Sequence, residues 1–264
     1  MKWLIIPFCL WFGCLSFAQE HKPKIRALLA IDLVSKNISR GDLADMYRLQ
    51  KSLHGIAHQL HLSCNITTLK KESMTKTRLD RWLRSIPQNS KDIVLFYFTG
   101  HGQRLPQMQS PWPLMFFKSS EHPLKETAIA GEAIYQALRN KHPRLSIILM
   151  NACNCLPTAA RLIELSPPYR PIIDGKHRLP GLRSLFLKTK GMVISAAAAP
   201  GEYAYSYGGK RRNSGSFFAT GLLSAIKNYG RAKNPTWKKV FVKTGTHCHH
   251  ESNGTQHPIF AIQP

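Results

Sequence analysis

Apolar positions along this chain follow two periods. "KIRALLAIDLV" (24–34), "DIVLFYFTG" (92–100), "LSIILMNAC" (145–153) and "GMVISAAAA" (191–199) are near-continuous apolar runs, several rich in branched and aromatic residues. Runs of that kind predict strands covered on both faces within a parallel sheet. "CNITTLKK" (64–71) predicts a shorter strand. Between these runs the spacing becomes helical: Leu43, Met46, Tyr47, Leu53, Ile56, Ala57 and Leu60 mark a helix over 41–60. Shorter helices are predicted at 75–86 and 127–140, another at 216–226, and a basic one at 236–246. Strands alternating with helices predict an α/β fold, a three-layer sandwich around a mainly parallel sheet. Residues 157–190, with their prolines and many basic side chains, show no regular period and read as a mobile linker or loop.

Composition refines this picture at three points. With 43% apolar residues in 264, the chain suits one domain with a full core, which excludes global disorder. Residues 1–18 have a lysine, an apolar run and then Ser16-Phe17-Ala18, the layout of a secretory signal peptide cleaved before Gln19. The domain is then 19–264, exported to a periplasmic or extracellular space, with no transmembrane segment in the mature chain. A lipid anchor at Cys14 is the lesser alternative. The net charge of +23 favours contact with polyanions. Its residues are spread along the chain, however, so the expectation is a solvated basic surface with at most weak polyanion contact.

Two of the apolar strands end in reactive groups, "LFYFTGHG" in His101 and "IILMNAC" in Cys153. In α/β sheets functional groups gather beyond the carboxyl ends of the strands. A thiol placed there is open to four readings: packing, half of a disulfide, a metal ligand or a nucleophile. Once Cys9 and Cys14 leave with the signal, Cys64, Cys153, Cys155 and Cys248 remain, too few for a disulfide scaffold. Cys153 and Cys155 are not expected to bond to each other, because adjacent pleated positions point to opposite faces. A cysteine peptidase needs a thiolate, an imidazole to move a proton, and donors for an oxyanion. If His101 and Cys153 cap neighbouring strands, they supply the first two. The amides of Gly102 and Cys153 are then candidates for the third.

"LFYFTGHGQ" followed some fifty residues later by "IILMNACNC" resembles the caspase–metacaspase superfamily of cysteine peptidases, which has the caspase–haemoglobinase fold. "SAAAAPGEYAYSYGGKRRNSGSFFATGLLSAI" and "QHPIF" resemble its later strand, specificity loop, helix and last strand, so the likeness runs through most of 24–264. The resemblance implies a caspase-like central sheet, His101 as general acid/base, Cys153 as nucleophile, and Gly102 with the Cys153 backbone as oxyanion hole. Cys155 stands where metacaspases usually have serine, and reads as a neighbour of the nucleophile. No cofactor or metal is implied, and no carboxylate cluster suggests calcium activation. The substrates implied are peptides or proteins.

Substrate preference is where the chain departs from the family. Metacaspases, which cut after Arg or Lys, have aspartate two residues before the cysteine, and caspases have glutamine; here the residue is Asn151. Asp32 at the end of the first strand and Glu202 in the specificity loop tilt the expectation towards Arg or Lys. Arg161, Arg170, Arg178 and Arg183 are then candidate self-cleavage sites. Asn151 and Cys155 keep open an alternative, a catalytically silent caspase-fold binding or adaptor protein. The C-terminal His247, Cys248, His249, His250 and His257 read as a polar helix end and loop. Tyr203, Tyr205 and Tyr207 either line a groove or pack on the domain. Nothing in the sequence fixes the oligomeric state.

Overall fold

The computed structural model describes residues 22–34, 39–117, 128–156, 171–207 and 215–264. Six strands form the main sheet: β1 (Lys24–Ile31), β2 (Ser63–Lys70), β3 (Ile93–Thr99), β7 (Leu145–Asn151), β8 (Gly191–Ala196) and β9 (Ile259–Gln263), in the order β2-β1-β3-β7-β8-β9. All pairings are parallel except β8 with β9 at the edge. β3 and β7 lie mid-sheet and every residue in both is buried. Their unbroken apolar composition follows from having a helical layer on each side.

The period of two along each strand sorts the core into two halves. Ile25, Ala27 and Leu29 of β1, Ile93, Leu95 and Tyr97 of β3, and Leu145, Ile147 and Leu149 of β7 face one layer. That layer holds α1 (Ser39–Leu60), α4 (Phe217–Tyr229) and α5 (Trp237–Glu251). The alternate residues Leu28, Val94, Phe96, Phe98, Ile148 and Met150 face the other, which holds α2 (Lys76–Ser85) and α3 (Gly131–Lys141). Thr75, Ser216 and Thr236 cap α2, α4 and α5 by accepting an amide hydrogen bond from the first turn. The sandwich has the three layers and mainly parallel sheet expected of it.

Two features depart from expectation. A small antiparallel sheet of β4 (Gly102–Gln103), β5 (Leu114–Phe116) and β6 (Ala128–Ala130) sits beyond β3. Part of the stretch read as a mobile linker is packed: Ile173, Leu179 and Leu182 are buried, and Arg183–Lys188 forms a π-helical turn that buries Leu185 and Phe186. Arg144 anchors this turn by donating to the carbonyls of Phe186, Leu187 and Thr189. Arg183 lies on this folded turn, and the side chains of Arg178 and Arg183 are both exposed. The signal segment, Arg161 and Arg170 lie outside the described residues. Among those described, no helix is long and apolar enough to cross a membrane.

Candidate active site

Strand register brings the two reactive turns together. Ile31 pairs with Thr99 and Thr99 with Asn151, so β1, β3 and β7 end level with one another. Asp32 N donates to Thr99 O at 2.9 Å and Gly100 N to Asn151 O at 3.2 Å, extending the alignment one residue further. His101 and Cys153 each stand two residues past a paired strand end, on neighbouring turns. Both are partly exposed.

Gly102 is where the turns touch. A Cβ at this position would lie 2.6 Å from Ala152 Cβ and 2.8 Å from the carbonyl oxygens of Cys153 and Leu114, so only glycine fits. Gly102 pairs with Met115, and the bond beside that pair runs from Phe116 N to His101 O. This is a non-hydrogen-bonded antiparallel pair, so the Gly102 N–H is directed away from β5.

The Cys153 thiol is held by the loop that follows β8. It accepts from Ala204 N at 3.4 Å and lies 3.7 Å from Ala204 O. Asn154 fastens this loop, its amide donating to Glu202 O and its carbonyl accepting from Gly201 N. Its side chain donates to Pro111 O and Ala198 O. Cys153 and Cys155 influence each other electrostatically, and Tyr203 acts on Cys155. The pleat argument against their pairing does not apply here: the two are separated by two positions rather than one, and β7 ends at Asn151. The contact with Cys155, reinforced by burial, pushes the Cys153 thiol up. The same contact, with Tyr203, pulls Cys155 down.

Beneath the two turns lies a buried polar layer. Asn151 Nδ2 donates to Thr99 Oγ1 at 2.8 Å, and Thr99 Oγ1 donates to Asp42 Oδ1 at 2.6 Å. Asp45 is wholly buried, pairs with Arg48 at 2.5 Å, and accepts from Ser216 N at 3.0 and 3.1 Å. Arg48 also reaches Thr220 and the Ala44 carbonyl. Asp42 Oδ2 is buried with no hydrogen-bond partner among the described residues. Burial, against the Thr99 bond and with Asp45 and Asp32 nearby, holds the Asp42 carboxyl well above the usual carboxylate range.

Of the residues expected to read the substrate, Asp32 and Asn151 belong to this layer. Asp32 is buried and also accepts from Val34 N, closing a turn. Glu202 does not belong to it. Its carboxylate accepts from His257 N at 2.7 Å, contacts His257 Nδ1 at 2.7 Å and accepts from Ala199 N at 3.3 Å. Those bonds tie the loop to the segment before β9. His257 in turn contacts His249 at 3.0 Å, and His247 contacts the Tyr207 hydroxyl. Tyr207 is buried edge-on against Phe217, and Tyr205 also packs on that ring.

Sequence reasoning missed Asp42, Asp45 and Arg48. Leu43 and Tyr47 were assigned to the buried face of α1, yet they are 48% and 58% exposed. A usable signal was present. Asp42, Asp45 and Ser52 continue, at spacings of three to four, the face formed by Leu49, Leu53, Ile56 and Leu60.

Comparison with known proteins places this arrangement in a family. The family model for the caspase domain matches residues 35–263. No match was found among curated protein sequences. Among solved structures, the crystal structure of caspase-1 from Spodoptera frugiperda superposes with a TM-score of 0.53 at 14% identity. The alignment covers 92% of this chain and 87% of that one.

Proposed function

The chain belongs to the caspase-domain family of cysteine peptidases, and from that premise we propose that it is an active endopeptidase in which Cys153 attacks the scissile carbonyl. The observation that carries this reading is the level ending of β3 and β7, with Gly102 packed on the Ala152–Cys153 turn. His101 takes the thiol proton as sulfur attacks, because Cys153 is held as a neutral thiol by Cys155 and burial. The amides of Gly102 and Cys153 receive the developing oxyanion. Collapse of the tetrahedral adduct breaks the C–N bond, His101 returns the proton to the leaving amine, and a thioester remains. Water, deprotonated by His101, then releases the acyl group and restores the thiol. The segment 203–205 must shift off the Cys153 sulfur for this to begin.

In this reading the residue before the scissile bond is Arg or Lys. The Asp42 oxygen that has no partner among the described residues, in a layer with Asp32 and Asp45, suits a guanidinium or ammonium in a protein with only fourteen acidic residues. Export through residues 1–18 is part of the same proposal. The engagement of Cys153 by Ala204 favours the alternative of a silent caspase-fold binding protein. Peptidyl chloromethyl ketones ending in Arg or in Asp separate the two. Labelling by the Arg reagent, read by intact mass and lost in Cys153→Ala, is the expected result. Failure of both reagents on folded, reduced protein would move the binding-protein reading to the front.

A further inference from the structure

The paired thiols are built more firmly than packing requires. Asn154, the residue between them, is fully buried and fixed by hydrogen bonds from its backbone and side chain to four other residues. With Asn154 fixed, the chain on either side of it is held in place, and the Ala204 amide holds the Cys153 sulfur. Residues two apart are at most about 7 Å apart at Cα, roughly 3.3–3.6 Å per residue. That reach overlaps the 4.4–6.8 Å or so that disulfides span. The remaining described cysteines stand elsewhere, Cys248 fully buried in α5 and Cys64 on edge strand β2.

We propose that Cys153 and Cys155 form a reversible disulfide that closes the active site under oxidation. A hydroperoxide is a sufficient oxidant. One thiolate sulfur attacks the terminal peroxide oxygen and breaks the O–O bond, leaving a sulfenic acid and releasing an alcohol or water once a proton is taken up. The second sulfur then attacks the sulfenic sulfur and expels hydroxide, which leaves as water. In net terms two thiols and one hydroperoxide give one disulfide, one alcohol and one water. A dithiol reductant reverses the change by thiol–disulfide exchange. The disulfide takes both sulfurs out of reach of further oxidation, so the nucleophile is masked rather than destroyed. The inhibitory consequence rests on the proposed role of Cys153, whereas the bond itself does not.

The test is peptide mapping of the purified protein after treatment with hydrogen peroxide or oxidised glutathione, with free thiols alkylated. Trypsin releases residues 145–161 as one peptide carrying both cysteines. The expected result is loss of two hydrogens from that peptide without alkylation, reversed by dithiothreitol to two alkylated thiols. Cys155→Ser should instead carry a glutathione adduct or an over-oxidised sulfur at Cys153. Wild-type protein that gives those single-thiol products, with Cys155 still alkylated, would overturn the proposal. If the disulfide forms in a protein that never reacts with peptidyl probes, the bond stands and the peptidase reading falls. Peptide cleavage by a protein that forms no such bond overturns the disulfide and leaves the peptidase reading standing.

Discussion

Asp45→Asn isolates the charge at the heart of the polar layer while keeping the shape of the side chain. Arg48 and Asp45 are 3% and 0% exposed, so the guanidinium left behind cannot recover water. Its remaining bonds go to neutral groups, Thr220 Oγ1 at 3.1 Å and Ala44 O at 3.3 Å. Asparagine still offers an oxygen to the Ser216 amide, so the principal loss is the compensation of a buried charge. Removing one partner of such a pair costs about 3–5 kcal/mol. For a domain of this size each kcal/mol lowers Tm by roughly 2–4 °C, so the expected fall is about 6–20 °C. The double variant Asp45→Asn/Arg48→Met removes both charges and should recover most of that loss, since buried pairs are often replaced at little net cost. Urea unfolding followed by circular dichroism, on wild type, both single variants and the double, measures the coupling directly. A loss under about 1 kcal/mol for Asp45→Asn, or a double variant as unstable as the single, would refute the account.

Further outcomes follow from the site. Gly102→Ala forces a methyl group to within 2.6–2.8 Å of Ala152, Cys153 and Leu114; kcat/KM should fall about a hundredfold or more while the protein stays folded. Asp42→Asn should cut reaction with the Arg reagent by about 10- to 150-fold, the worth of one charge-assisted hydrogen bond of about 1.5–3 kcal/mol, and leave the Asp reagent no better than before. Because the folded-state pKa of Asp42 is raised, its contribution to stability is present in full below about pH 3.9 and is lost as pH rises through the folded value. Asp42→Asn should thus be more stable than wild type at pH 7 and no more stable at pH 3, as read by thermal unfolding across pH. Glu202→Gln, which loosens a half-exposed tie to His257, should cost no more than about 1 kcal/mol and leave the Arg-to-Asp labelling ratio unchanged; a changed ratio would restore Glu202 to the pocket.

The strands that carry His101 and Cys153 were legible because burial on both faces leaves long apolar runs, and β1, β3, β7 and β8 all carry that mark. The small sheet was not, since two- and three-residue strands are too short for any period and are fixed by packing against their neighbours. Leu185 and Phe186 were hidden among prolines and basic residues, and only the Arg144 contacts explain why that turn holds. Glu202 was attractive because acidic residues are scarce, but its partner His257 lies 55 positions away and is supplied by the fold. Asp42 and Asp45 were passed over for the apolar Leu43 and Tyr47. A helix that begins beneath the carboxyl edge of the sheet buries polar groups there, against the usual rule for a core-facing stripe.

The Arg144 anchor and the β7–β8 pairing carry a consequence for the chain as a polymer. Arg144 stands before β7, whereas the carbonyls it grips and the whole of β8 come after the segment 157–170. β7 and β8 pair side by side through six residues in mid-sheet, and the core on each face draws on both halves of the sequence. A cut anywhere between Leu156 and Pro171 would therefore yield two fragments on a denaturing gel and one particle in a sizing column. Covalent continuity across that gap is dispensable for holding the body together, so proteolysis there can act as a change of state without dismantling the protein.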